Sequence, residues 1–89
     1  MTPEQRLARF VCGWPAAGVP AEAGRIVRLV VLAAAGTGIA GAGEDGIEPL
    51  RALLRRRGGA AEARSLVFGD RLPAHAAAQL NGTMCRALD

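Results

Sequence analysis

Residues 29–43 have the sequence LVVLAAAGTGIAGAG, a run of fifteen residues without a charged side chain. In a helix such a run is apolar on every face, so it predicts a helix that is covered on all sides. Arg28 and Glu44 bound the run, and its fifteen residues fall short of the roughly eighteen that a membrane span needs. The run therefore predicts a buried helix and no membrane span.

Three glycines interrupt this predicted helix. Gly36, Gly38 and Gly41 each weaken a helix interior by about 1 kcal/mol relative to Ala. They indicate close approach of another helix, because glycine has no side chain to hold a neighbouring backbone away. A chain of 89 residues has few elements with which to surround such a helix. We therefore expect some of the covering helices to come from a partner.

Start and stop signals define a first helix before the apolar run. Thr2 is a candidate N-cap, Pro3 suits the first helical position, and Gly13 ends the helix. The apolar run belongs to a second helix that starts near Pro20. The first helix carries one apolar stripe at helical spacing, formed by Leu7, Phe10, Val11 and Trp14.

Two more helices and an extended connector are predicted towards the C-terminus. The third helix begins at Ile47 and stops at the glycines of residues 58–59. Residues 65–68, SLVF, form a short β-like run, and the fourth helix follows from Ala74 to about Leu88. The candidate apolar face of the fourth helix consists of Ala77, Leu80, Met84 and Leu88, with Ala76 and Ala87 beside it. The predicted fold class is all-α, with four helices and a short extended connector.

The amino-acid composition argues against one class of function, nucleic-acid binding. All eleven basic residues are Arg, but eight acidic residues are interspersed, the net charge is +3, and aromatic residues make up 3%. This pattern disfavours nucleic-acid binding, which uses basic patches and aromatic stacking, and leaves an Arg-rich binder as a third hypothesis. Two cysteines without a secretion signal indicate reduced thiols in a cytoplasmic protein.

Motifs for metal or nucleotide chemistry do not occur in the sequence, which has no CxxC, HExxH or P-loop. Ser65 and His75 have no spacing that supports a catalytic triad, and we interpret His75 as a solvent-facing side chain. Cys85 is interpreted as a structural thiol. The arginines of residues 55–57 are interpreted as a solvated helix end. We predict no metal site.

Residues 81–89, NGTMCRALD, resemble the motif NGT-x-x-x-x-LDF of the MmgE/PrpD family, which includes 2-methylcitrate dehydratase and cis-aconitate decarboxylase. The resemblance continues in order along nearly the whole chain and corresponds to the N-terminal part of a family member. Ala33 departs from the family, which often has Asp at that position. The Asn81-Gly82 pair is interpreted as a break that bends the helix and brings the motif into a cavity.

The resemblance implies a cofactor-free lyase that acts on small di- and tricarboxylates. Asp89 matches the first Asp of the family motif and is the candidate catalytic residue, either for proton transfer or for orienting a His. Arg86 is the candidate substrate-binding residue, because a guanidinium can bind a carboxylate through two parallel hydrogen bonds.

The same resemblance sets the expected domain organisation and partners. Residues 1–89 are expected to be one helical segment of a larger helical domain, which a second polypeptide completes in a hetero-oligomer. No nucleic-acid or membrane partner is expected. The alternative is a non-catalytic helical module that associates with a related enzyme and stabilises it. Dehydration, decarboxylation and epimerisation all remain open.

Overall fold

Helices form where the caps, prolines and glycines of the sequence place them. The structure, a computed structural model, describes residues 1–88 with the exception of the side chain of Ala16. Over these residues it contains four α-helices, one short 3₁₀ helix and a two-stranded hairpin, which confirms the all-α fold class. In chain order the elements are α1 (Pro3–Gly13), the 3₁₀ helix (Ala16–Gly18), α2 (Ala21–Gly41), α3 (Ile47–Arg57), β1 (Ala63–Arg64), β2 (Arg71–Leu72) and α4 (Ala74–Arg86).

The chain divides into two units, Met1–Val30 and Val31–Asp89. The first unit holds α1, the 3₁₀ helix and the beginning of α2. The second unit holds the rest of α2, together with α3, the hairpin and α4. The predicted site residues belong to the second unit.

In the first unit, α1 begins at a capping box. The backbone N–H of Gln5 donates to Thr2 Oγ1 at 3.1 Å, and the Thr2 N–H donates to Gln5 Oε1 at 2.9 Å. This confirms Thr2 as the N-cap and adds Gln5 as its reciprocal partner. The rings of Phe10 and Trp14 pack with 5.6 Å between their centroids. The apolar stripe of α1 is nevertheless exposed, with Phe10 63% accessible to solvent.

Helix α2 is mostly exposed in this chain, so the chain does not by itself cover it on all sides, and covering by a partner stays a prediction. Among its described residues only Gly38 and Gly41 are buried, and Leu32 is 70% exposed. By length and composition alone α2 could also cross a membrane, a criterion that core helices and signal sequences satisfy as well. Exposed apolar surface of this kind is typical of surfaces that bind a protein or a membrane.

The core of the second unit lies between α3, α4 and the hairpin. Leu80 and Met84 of α4 are fully buried, and burying side chains of this size stabilises a fold by about 1.5–3 kcal/mol each. The predicted apolar face of α4 is confirmed except at Leu88, which is 51% exposed. The buried apolar residues of the cluster are Ile47, Leu54, Leu72, Ala76, Ala77, Leu80 and Met84.

The extended connector is a hairpin whose two strands flank the SLVF run. Ala63 pairs with Leu72 and Arg64 pairs with Arg71 in antiparallel register. The prediction of β structure at residues 65–68 is wrong in its position, because residues 65–70 form the turn. Turn hydrogen bonds outweigh the β propensity of these residues. Val67 has φ +67°, a left-handed conformation that strains a β-branched side chain.

Candidate functional site

The predicted site residues lie at and beyond the end of α4. Arg86 is the last residue of α4 and is exposed to solvent. Asp89 lies outside the described residues, so its role stays a prediction. A cation in the last turn of a helix interacts favourably with the helix dipole. The described residues show how the turn that carries Arg86 is held in place.

The core fixes the rotation of α4 about its axis. Leu80 and Met84 lie one turn apart and are fully buried on the inner face. Arg86 follows Met84 by two residues, so the geometry of a helix directs it to the outer face. Helix α4 runs without interruption through Asn81 and Gly82, and an added Cβ at Gly82 would meet no atom within 4 Å. The interpretation of Asn81-Gly82 as a helix break is therefore wrong.

Helix α2 approaches the last turn of α4 closely. A Cβ at Gly41 would overlap the carbonyl oxygen of Met84 and would lie 3.3 Å from the Cβ of Ala87. A Cβ at Gly38 would lie 3.1 Å from Cys85 Sγ and 3.1 Å from a methyl carbon of Leu66. The close approach predicted for Gly38 and Gly41 is confirmed, and the neighbouring helix is α4 of the same chain.

Two hydrogen bonds within the second unit converge on one carbonyl of α2. The Cys85 thiol donates to the Ala34 carbonyl at 3.3 Å, and Thr37 Oγ1 donates to the same oxygen at 3.0 Å. Cys85 is partly buried. The thiol connects α4 to α2, in agreement with the interpretation of Cys85 as a structural residue.

The side-chain amide of Asn81 joins α4 to the connector. The backbone N–H of Leu66 donates to Asn81 Oδ1 at 2.7 Å, and Asn81 Nδ2 donates to the Arg64 carbonyl at 3.2 Å. A typical hydrogen bond contributes about 1 kcal/mol, and leaving a shielded partner unsatisfied costs more. From the sequence, Asn81 is interpreted as a helix-weakening residue within the motif segment, without a partner on the connector. No local sequence pattern indicates this contact, because its partners precede Asn81 by 15 and 17 residues.

A charged cluster holds the turn of residues 65–70 against α3. Arg51 donates to both carboxylate oxygens of Asp70, with Nε–Oδ2 at 2.5 Å and Nη2–Oδ1 at 3.0 Å. Its guanidinium also lies 4.5 Å from the ring centroid of Phe68. Ser65 Oγ accepts a hydrogen bond from the Asp70 N–H at 3.0 Å. The hydrogen bonds from Arg51 hold the pKa of Asp70 below its ordinary value.

Removing the Asp70 charge should make the protein less stable in a pH-dependent way. Because the pKa of Asp70 is lower in the folded state, its contribution is present above the unfolded pKa of about 3.9 and is lost as the pH falls through the folded pKa. We expect Asp70→Asn to lower the free energy of unfolding by about 1–3 kcal/mol at neutral pH.

Urea unfolding of the wild type and Asp70→Asn, measured from neutral to acidic pH, checks this expectation. The difference between the two proteins should shrink as the pH falls below about 4. Asp45→Asn is the matched control, because Asp45 is exposed in the turn between α2 and α3. A difference that stays constant down to acidic pH would contradict the assigned role of Asp70.

The other candidate residues do not assemble into a site. Ser65 is buried and its hydroxyl engages Asp70, whereas His75 is exposed in the first turn of α4. The arginines of residues 55–57 are exposed, and Arg55 Nε lies 3.6 Å from Asp70 Oδ1. Within residues 1–88, no group of three or more His, Cys, Asp or Glu side chains is arranged to hold a metal ion. The same part of the chain contains no pocket.

Comparison with known proteins identifies the N-terminal domain of one family. A family model described as the MmgE/PrpD N-terminal domain matches residues 5–89. The match covers α2, α3, α4, all of α1 but its first two residues, and the segment NGTMCRALD at residues 81–89. Neither the curated proteins nor the solved structures include a match to the chain.

Proposed function

Because the chain belongs to the MmgE/PrpD family, we propose that it supplies the N-terminal part of a cofactor-free lyase acting on small carboxylic acids. A second polypeptide completes the enzyme in this proposal. The observation that carries it is the family match over residues 5–89, which includes the motif segment at residues 81–89. Arg86 binds a substrate carboxylate, and Asp89 transfers a proton or orients a His.

The chemistry of such a lyase explains these roles. Elimination from a carboxylic acid needs a base for the proton next to the carboxylate, an acid for the leaving group and cations that hold the carboxylates. Arg86 is presented on the outer face of a helix whose inner face is fixed in the core. A guanidinium held in this way can bind a carboxylate through two parallel hydrogen bonds.

A covering partner is part of the proposal because Arg86 and much apolar surface face solvent. Excluding water strengthens the attraction between a guanidinium and a carboxylate. Leu32 and Ile39 of α2 are 70% and 61% exposed, and removing such surface from water contributes about 25 cal/mol per Å² of apolar area, against which the entropy cost of association counts. A partner that covers both regions would stabilise the complex and isolate the site from water.

A polypeptide is a better partner for α2 than a lipid bilayer. Gly38 and Gly41 of α2 pack against α4 of the same chain, and α4 carries the Asn81 amide and the Arg86 guanidinium. Such polar groups are costly in hydrocarbon. We place the assembly in the cytoplasm, where the free thiols of Cys12 and Cys85 would remain reduced. The proposal includes no nucleic-acid partner.

Co-purification with the product of the neighbouring gene tests this function. The purified complex is assayed for water release from hydroxy di- and tricarboxylates and for CO₂ release from unsaturated tricarboxylates. We expect a stable complex and turnover only when both chains are present. If the two proteins form no complex and show no turnover on these acids, the proposal is wrong.

The exposed apolar stripe of α1 favours a second candidate function, a non-catalytic module that stabilises a related enzyme. In the first unit, Phe10 is 63% exposed and Leu7 is 65% exposed, as on a helix that associates with another protein. The same co-purification separates the two functions. A partner whose full turnover is independent of this chain, and whose thermal stability rises when the chain is bound, supports the module.

A further inference from the structure

The C-terminal half of α4 is held by a polar contact that the proposed chemistry does not itself require. Asn81 lies five residues before Arg86 on the same helix. We propose that Asn81 is a positioning residue of the lyase site, whose amide fixes the C-terminal half of α4 against connector residues 64–66. Arg86, which ends the same helix, is then held in one place for the substrate. This inference rests on the proposed function.

The geometry of the amide makes Asn81 suited to this role. Its Oδ1 accepts from the Leu66 N–H at 2.7 Å, and its Nδ2 donates to the Arg64 carbonyl at 3.2 Å. The two bonded residues flank Ser65 along the connector. Two bonds fix both the separation and the rotation of the amide relative to the connector, whereas a single bond leaves rotation free.

The connector is itself held against α3, so hydrogen bonds to the connector can fix the position of α4. Asp70, at the end of the turn, is bound through both carboxylate oxygens by Arg51 of α3. Ser65 accepts from the Asp70 N–H at 3.0 Å, which closes the turn. Asn81 thereby connects the end of α4 to α3 by polar contacts, in addition to the apolar core.

Helix α2 supports the next turn of α4, which is its last. The backbone at Gly41 lies against the Met84 carbonyl, and the Cys85 thiol donates to the Ala34 carbonyl. The end of α4 can therefore move little without breaking a contact with α2 or the connector. Catalysis depends on such fixation, because misplacing reacting groups by about 1 Å can lower turnover by about 100-fold.

Asn81→Leu in the complex with the second polypeptide tests the role, because leucine has a similar size and forms neither hydrogen bond. We expect kcat to fall by about 10- to 100-fold and KM to rise, because Arg86, which binds the substrate carboxylate in this proposal, is displaced. Gln79→Leu, the same chemical change at an exposed position of α4, should leave both values unchanged. Asn81→Ala also removes both hydrogen bonds and adds neither bulk nor charge, so it should give a similar loss of kcat and serves if Asn81→Leu does not fold.

Amide hydrogen exchange of the full chain alone gives a measurement that does not depend on turnover. Protection at residues 84–88 should fall by about tenfold in Asn81→Leu and stay unchanged in Gln79→Leu. If the wild-type complex turns over and either kcat or this protection is unaffected in Asn81→Leu, the positioning role is wrong and the lyase proposal stands. If the wild-type complex shows no turnover, the lyase proposal is wrong, and the positioning role is then wrong as well.

Discussion

Gly41→Ala should lower the free energy of unfolding by at least about 2 kcal/mol. The added Cβ would overlap the carbonyl oxygen of Met84 and lie 3.1 Å from its carbonyl carbon. Both are backbone atoms, so no side-chain rotation can relieve the overlap, and α2 and α4 must move apart. The gain in helix propensity of about 1 kcal/mol offsets only part of this loss. Global stabilities are about 5–15 kcal/mol, so the substitution removes a large share.

Gly36→Ala is the matched control on the same helix. An added Cβ at Gly36 meets no atom within 4 Å, so this substitution should leave stability unchanged or raise it by up to about 1 kcal/mol. Urea unfolding followed by far-UV circular dichroism compares the two variants. Trp14 fluorescence is unsuitable, because Trp14 belongs to the first unit. Equal stabilities of Gly36→Ala and Gly41→Ala would show that the close approach does not constrain the fold.

The glycines of α2 also show what the sequence could and could not predict. The glycines of the apolar run predicted a close helix contact, and Gly38 and Gly41 make one. Periodicity could not distinguish them from Gly36, because the distinction depends on which face of α2 meets α4. The contact joins Gly41 to Met84, which are far apart in sequence, and local patterns do not contain that pairing.

Helix limits were predictable because the residues that set them act locally. Thr2 caps α1 through its immediate neighbours, and α3 begins at Ile47 and ends at Arg57 before two glycines. The SLVF connector at residues 65–68 was not predictable in the same way. Its β propensity is outweighed by hydrogen bonds that come from Asp70 and from Asn81 on α4.

One part of the candidate site could likewise be predicted from local sequence patterns, and another part depends on contacts between residues far apart in sequence. The face of α4 that carries Arg86 follows from the spacing of Leu80 and Met84, which the sequence shows. The support from Asn81 does not, because its partners precede it by 15 and 17 residues. The chemical role of Asp89 rests on the family motif and therefore needs a direct experiment.

Asp89→Asn should abolish most of the turnover of the complex while leaving assembly intact. Asparagine keeps the shape of the side chain and one acceptor oxygen, but it cannot take up or release the proton at neutral pH. Proton transfer by a positioned side chain accelerates reactions by about 10²–10⁴-fold, so we expect kcat to fall by a factor in that range. The measurement is the steady-state turnover of the co-purified complex on the acid that the wild type converts.

The effect of Asp89→Asn has to be separated from a general loss of charge. Asp45→Asn removes the same charge from an exposed turn outside α4, and it should leave turnover unchanged. Assembly of each variant with the second polypeptide is measured by gel filtration, so that a loss of turnover is not mistaken for a loss of binding. If Asp89→Asn assembles normally and keeps turnover within about twofold of the wild type, Asp89 takes no part in proton transfer, because a positioned acid or base contributes far more than that. A partner that also turns over without this chain then makes the non-catalytic module the better account of the molecule.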